Sequence, residues 1–398
     1  MAHIERKDYL EWLDTWRDKS VVKVITGIRR SGKSTLLAQY RQRLIDTGVT
    51  TSQIQTINFE DIDNEPLLEY KVLYRHIKEH LCPNKKNYIF LDEVQMVKEY
   101  QKTVDSLTLR PDIDIYLTGS NAYMLSGEIA TLLSGRYVEL SILPLSFAEY
   151  CSAQSLSVEH SYRSYISETS FPYGLQLSGA DAVREYMSGL YNTIILKDIV
   201  ARRKLQDMDL LERIIRFLAD NIGNMVSVKS ITSNLAAGGR KVSDHTVESY
   251  LQSLMECYMF YRVNRYDVRG KQNMKVGQKY YICDFGFRNL LLGIRNNDLG
   301  HLLENIVYLE LLRRGNQVMI GKMDGEEIDF VTFKSGVIVY YQVALTVREQ
   351  ATLERELKPL RQIGDHFQKI LLTFDNDPVV LHDGIRQIYV LDWLLGEP

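Results

Sequence analysis

Nine residues constrain this chain more than any other segment: Gly27, Ile28, Arg29, Arg30, Ser31, Gly32, Lys33, Ser34 and Thr35. Before them, residues 21–26 (VVKVIT) form a β-branched run that reads as a buried strand. After them, LLAQYRQRLIDTG has apolar residues at helical spacing. A strand, a glycine-rich loop and a helix in that order, with Gly27-x-x-x-x-Gly32-Lys33-Ser34, form a phosphate-binding loop. Glycines at 27 and 32 allow backbone angles and close approaches that a side chain would block. The loop N–H groups and the helix N-terminus then face the phosphates. Lys33 is expected to reach the β- and γ-phosphates, and the Ser34 hydroxyl to ligate Mg²⁺. The expected ligands are ATP or ADP with Mg²⁺.

A second apolar strand, residues 87–91, ends in Asp92-Glu93, the Walker B pattern, about sixty residues after the loop. Asp92 is expected to hold Mg²⁺, and Glu93 to polarise the attacking water. A third strand, residues 114–117, runs into Thr118-Gly119-Ser120-Asn121. Ser120 and Asn121 both qualify to touch the γ-phosphate or the water, and Asn121 is taken as the catalytic candidate. Arg136, just before a further strand, is either a solvated side chain or an arginine finger completing a neighbouring subunit's site.

The segments GIRRSGKST, YIFLDEVQ, LTGSNAYML, LSGRYVEL and LPLSFAEY resemble those of the bacterial and archaeal AAA-type ATPases known as AAA_14 plus DUF4143. The resemblance continues through YNTIILKDIVARR, LLENIVYLELLRRG, EEIDFV and YYQVALTVREQATLERE, and so covers nearly the whole chain. It implies an ATPase that turns ATP and water into ADP and phosphate. It also implies a helical lid over residues 146–205, where Arg184, Arg202 and Arg203 are available as a lid arginine.

Residues 210–263 read as three helices, the third running from KVSDHTVESYLQSLMECYMFYRV with Ser243 or Asp244 as N-cap. A basic stretch follows, with Arg262, Arg265, Arg269, Lys271, Lys275 and Lys279 against Asp267. Strands around Gly270 and Gly277 complete a winged helix-turn-helix. Two uses stay open. In one, Ser243, His245, Thr246 and Ser249 face base edges and the basic wing meets phosphates. In the other, the module packs against protein, as Asp244 and Glu248 on the third helix favour.

The last hundred residues run helix, three strands, helix, strand, an order that resembles the PD-(D/E)XK nucleases. Glu304, Glu327, Asp329 and Gln342 fall at the metal-ligand places, but Ala344 stands where the lysine belongs. Gln342 offers a neutral oxygen, and no cation remains to orient the water, although Lys334 or Lys369 could migrate into the role. A degenerate, non-cutting domain is expected, with Glu327 and Asp329 as plain polar strand positions the bland alternative.

The expected fold is therefore α/β, with a P-loop ATPase core (residues 1–145), a helical lid (146–205), a winged helix-turn-helix (206–295) and a nuclease-like domain (296–398). Net charge −3 rules out a surface built as a whole for nucleic acid, so DNA contact would need a local patch. The four cysteines form no C-x-x-C pair, and no apolar stretch approaches the ~18 residues of a membrane span. A cytoplasmic ATP-binding protein, able to form homo-oligomers and to couple nucleotide state to DNA or protein contacts, is the expectation. The alternative is a nucleotide-dependent scaffold with little turnover and no nucleic acid.

Overall fold

The computed structural model describes residues 4–122, 135–200, 207–295 and 298–396, without the side chains of Lys275 and Val276. The chain divides into two compact units, residues 1–144 with 256–258, and residues 145–255 with 259–398.

The first unit is built on parallel strands β1 (Val22–Thr26), β2 (Ile54–Asn58), β3 (Asn87–Asp92), β4 (Ile113–Gly119) and β5 (Tyr137–Ser141), in the spatial order β2-β3-β4-β1-β5. Strands β1, β3 and β4 are buried along their whole length, as strands covered on both faces must be. Helices α1 (Lys7–Trp16), α2 (Lys33–Asp46), α3 (Tyr70–Glu79) and α4 (Tyr100–Thr108) flank the sheet. One face packs Leu36, Leu37, Tyr40 and Leu44 of α2 with Ile25, Phe90 and Tyr116. The other packs Leu73 and Ile77 of α3 and Val104 and Leu107 of α4 with Val24, Ile89 and Leu117. Each such buried side chain contributes about 1.5–3 kcal/mol. Within this core Lys23 pairs with Asp114, both side chains without exposure, and Tyr116 donates to Asp114 at 2.9 Å.

The second unit opens with α5 (Phe147–Ser152), α6 (Val158–Ser167) and α7 (Ala180–Thr193), which runs into a π-helical turn at Ile194–Val200. The expected interruption at residues 170–181 is real: Pro172–Gln176 forms a 3₁₀ turn. Buried Asp284 holds that segment, accepting from Thr169 Oγ1 (2.9 Å), Ser170 N–H (2.6 Å) and Ser170 Oγ (2.6 Å). Next come α8 (Met208–Asp220), β6 (Met225–Val226), α9 (Val228–Ala237) and α10 (Asp244–Glu256). Ser243 caps α10, its Oγ accepting from Thr246 N–H at 3.1 Å.

The third helix ends at Glu256 rather than continuing to Val263. Residues 260–267 are strand β7 (Phe260–Asp267), paired with β8 (Gln272–Ile282). Tyr258, at φ +60°, breaks the helix, and the β-branched and aromatic residues beyond it find strand partners.

After α11 (Phe285–Leu292) and α12 (Leu299–Arg313) come β9 (Gln317–Met323), β10 (Glu326–Lys334), β11 (Val337–Ala344), α13 (Gln350–Arg361) and β12 (Gln368–Thr373). Then follow β13 (Val380–His382), β14 (Ile385–Tyr389) and α14 (Val390–Leu395), which pattern reading missed. Among the described residues all strands of this unit join one sheet, β13-β14-β12-β11-β10-β9-β7-β8-β6. The β7–β8 hairpin does not stand free, because β7 pairs in parallel with β9. The sheet therefore runs unbroken across residue 295, where sequence pattern marks a domain end.

Candidate nucleotide site and carboxylate cluster

Strand β1 delivers its chain directly into the glycine-rich loop. Gly27 sits at φ +142°, and a Cβ there would stand 2.2 Å from the Ile142 carbonyl oxygen. Gly32, at φ +102°, starts α2. Both positions therefore need glycine, one for close approach and both for backbone angle. The loop is pinned from outside by Arg6, which is buried and donates to the carbonyls of Ser31 and Leu143 at 3.0 Å each. No local motif marks Arg6, and pattern reading missed it.

Lys33 is buried at the loop's centre. Its ammonium donates to the Gly27 carbonyl at 3.0 Å and to that of Ile28 at 3.2 Å, and lies 3.9 Å from Glu93 Oε1. Arg29 pairs with Glu60 at 2.8 Å, and Arg30 is exposed at φ +67°. Ser34 and Thr35 are exposed on the first turn of α2, and Ile28 is fully buried.

Strand β4 lies between β1 and β3, so the ends of all three strands face one region. There Thr118 joins the two acids of β3: its hydroxyl donates to Asp92 and accepts from the Glu93 N–H at 2.9 Å. Glu93 sits in the left-handed region at φ +54°, a conformation that costs on the order of 1–3 kcal/mol and gathers at functional sites. Gln95 donates to its carboxylate. Asn121 is buried at the end of β4, beside Ser120. The buried hydroxyls of Ser31 and Ser120 have no partner among the described residues. An orphaned hydroxyl within the loop, just before the N-terminus of α2, fits a bound phosphate chain. Below the loop, Thr26 Oγ1 donates to Glu139 at 2.8 Å, and burial pushes that carboxyl above its ordinary range.

Arg136 is not brought to this site. It precedes β5, and its carbonyl accepts from Val22 N–H at the start of β1, the opposite end from the loop. Five residues of parallel strand, about 16 Å at ~3.3 Å per residue, separate the two ends. Its guanidinium pairs with Asp105 on α4 at 3.0 Å. A role within its own chain's site is therefore excluded by distance. Arg184 is exposed on α7, while Arg202 and Arg203 lie outside the described residues.

In the second unit the nuclease-like candidates do converge, but on a cation that pattern reading placed elsewhere. Lys279 of β8, in the supposed wing, enters the cluster with its ammonium 2.8 Å from Glu304 Oε1 and 2.6 Å from Glu327 Oε1. Tyr281 donates to Glu304 at 2.5 Å. Asp329 accepts from Val343 N–H at 2.8 Å, and Gln342 spans Asp329 N–H (3.4 Å) and Glu356 (2.9 Å). Burial opposes ionisation of Glu304, but the Lys279 charge and the hydrogen bonds from His301, Lys279 and Tyr281 hold its carboxyl below the usual range. Burial, then the Glu304 charge, drives Asp329 well above that range.

Lys334 and Lys369 do not migrate into the cluster: each binds a carbonyl instead, of Arg314 at 2.6 Å and of Asp365 at 3.0 Å. Among the described residues no group of three or more His, Cys, Asp or Glu is arranged to hold a metal ion. The cationic place is taken by an ammonium.

Part of the supposed wing's charge is paired, while Arg265 and Lys271 form no ion pair among the described residues. Arg262 pairs with Glu248 at 2.5 Å, Arg269 with Asp324 at 2.7 Å, and Lys279 is buried as described. Lys271 is exposed, and the side chain of Lys275 lies outside the described residues. Of the expected base readers, Ser243 is a cap, Thr246 is half-buried, and His245 and Ser249 are exposed.

Residues 19–151 match the AAA domain family, and residues 159–298 match a domain of unknown function, DUF8612. An uncharacterised protein of Haemophilus influenzae is 40% identical over 400 residues, 99% of each chain. The chain belongs to the AAA family of P-loop ATPases. The part of the resemblance that named DUF4143 is corrected, since the matched region after the AAA domain is DUF8612. An uncharacterised protein of Methanocaldococcus jannaschii is 28% identical over 382 residues, covering 89% of this chain and 82% of its own. Among solved structures, a Walker-type ATPase of Pyrococcus abyssi superposes with a TM-score of 0.53 at 14% identity, over 73% of this chain and 96% of its own. That likeness supports the α/β P-loop fold. Among the described residues, no helix is long and apolar enough to cross a membrane.

Proposed function

We propose that this protein binds ATP with Mg²⁺ and hydrolyses it to ADP and phosphate, and that nucleotide state governs its contacts with DNA or protein. The observation that carries the reading is the meeting of Lys33, Asp92, Glu93 and Thr118 at one end of β1, β3 and β4. Lys33 and the N–H groups of residues 27–35 would hold the phosphates, while Ser34 and Asp92 would hold Mg²⁺. Mg²⁺, when bound, neutralises charge on the phosphate oxygens. Glu93 orients water and accepts its proton; its strained backbone is held by Thr118, which thereby couples the base to the metal-binding acid. Asn121 stands as the candidate second contact to the water. Arg136, remote from its own site, acts if at all on a neighbouring copy.

For the second unit we propose a winged helix (α8–α10 with β7–β8) joined to a nuclease-like sheet that has lost cleavage chemistry. The internal pairs of Arg262, Arg269 and Lys279 favour protein packing over DNA contact for the wing, the second reading of the function. The residues 146–205 act as the lid.

The test is phosphate release by the full chain with Mg²⁺, with EDTA, and in Lys33→Ala. Mg²⁺-dependent release that Lys33→Ala abolishes, together with lost ATP binding by calorimetry, is expected. Unchanged affinity in Lys33→Ala would refute the assignment of the loop.

A further inference from the structure

A row of cations sits on α3. Lys71, Arg75 and Lys78 are exposed and follow one another at four and three residues, the spacing of one helix face. At ~1.5 Å rise per residue they stand about 6 and 4.5 Å apart along the axis. Across from them on α4 is Lys102, and between the helices lies a groove of about 560 Å³ whose walls include Tyr70 and Tyr74.

The charge in this groove is only partly compensated. Among the described residues no carboxylate pairs with Lys71, Arg75 or Lys78. Lys102 pairs with Glu99, and Glu79 is the acid on the groove's wall. The ammonium groups are also held in place: Lys71 and Lys102 lie 5.7 and 5.2 Å from the Tyr70 ring centre, and Lys78 lies 5.4 Å from that of Tyr74. Cations resting on aromatic rings lose less freedom when an anion arrives. On a chain of net charge −3, such a patch is a local field against the overall sign.

We propose that the α3–α4 groove binds single-stranded nucleic acid. Phosphates of one strand line up along Lys71, Arg75 and Lys78 with Lys102 opposite, and the tyrosine rings back the ammonium groups. A positively charged groove that tracks the backbone is the electrostatic part of sequence-tolerant single-strand binding. A folded duplex offers its phosphates on a broader surface. The site is separate from the nucleotide loop and from the β7–β8 hairpin, where Arg262, Arg269 and Lys279 are paired.

The experiment is anisotropy of labelled oligothymidylate and oligouridylate of twenty nucleotides, titrated with the full chain at several salt concentrations. Four phosphate contacts predict a log–log salt slope of roughly −3. Changing Lys71, Arg75 and Lys78 together to Gln should weaken low-salt binding by roughly tenfold or more and reduce the slope by about 2. The variant Arg269→Gln with Lys271→Gln should bind as the wild type does. Equal weakening of the DNA and RNA probes supports a phosphate-led site; weakening of one alone assigns the strand it reads. No wild-type binding at low salt, or loss of binding only in the Arg269/Lys271 variant, would overturn the proposal. So would competition by polyglutamate at the same charge concentration as oligothymidylate, which would assign the groove to an acidic protein segment. The changed residues are exposed, so an unchanged melting temperature and ATP turnover establish that the variant is folded.

Discussion

Replacing Lys279 with Met removes the one ammonium from a buried carboxylate cluster. Lys279 is 5% exposed and Glu304 10%, so water cannot take over from the lost partner. Glu327, at 36% exposure, can solvate itself. The uncompensated charge is therefore that of Glu304, since burial and the Glu304 charge already disfavour ionisation of Asp329. Breaking a buried pair from one side costs about 3–5 kcal/mol. At roughly 2–4 °C per kcal/mol for a unit of this size, the melting temperature of the second unit should fall by about 6–20 °C. Adding Glu304→Gln should recover most of the loss, because the buried charge then goes as well.

The sign of the pH dependence is a second readout. In the wild type Glu304 lies below its ordinary value, so its contribution is present above pH ~4.3 and is lost as pH falls through the folded value. In Lys279→Met burial is opposed only by the hydrogen bonds from His301 and Tyr281, so its folded value should rise above the unfolded one, with stability lost as pH rises. Asp329, raised already, works in this second direction in both proteins and rises further without the Lys279 charge, so adding Glu304→Gln to Lys279→Met separates the two carboxyls. Urea unfolding from about pH 2 to 8, followed by near-ultraviolet circular dichroism, measures both effects. A cost under about 1 kcal/mol, the value of an exposed pair, would refute the burial argument.

Glu93→Gln should spare ATP affinity and slow phosphate release by roughly 10²–10⁴, measured as single turnover; an unchanged rate would make Glu93 structural. Gly27→Ala must place a Cβ against the Ile142 carbonyl at positive φ, so a loss of about 2–4 kcal/mol and of the ATP-induced rise in melting temperature is expected by thermal scanning. Arg136→Ala should leave ATP affinity as it is, by calorimetry, whereas turnover that grows with protein concentration only in the wild type would mark a role between copies. Asp284→Ala strands the Ser170 and Gly286 N–H groups and two hydroxyls, at about 1–3 kcal/mol for each group left unpaired, read by denaturant midpoint.

Much of the nucleotide site was legible because its determinants are local. The residues of the loop are contiguous, and its glycine positions, the strand before and the helix after need only short-range sterics and periodicity. Asp92 and Glu93 follow from an apolar run that ends in acids. The third helix was read too long because the apolar residues after Tyr258 fit either period, and pairing with β8 and β9 decides for strand. The edge strand β13 was missed because it has only three residues.

The sequence by itself determined the phosphate-binding loop, the acids that face it and the alternation of strands and helices that supports them. Only the tertiary structure decided which side chains share a space. Strand order put Arg136 at the far end of the sheet from the loop, brought Arg6 to the Ser31 carbonyl, and carried Lys279 from the β7–β8 hairpin into a cluster with Glu304 and Glu327. The physical reason is that the energy of a buried charge depends on its neighbours in space, and register and crossover connections choose those neighbours from residues far apart in the chain.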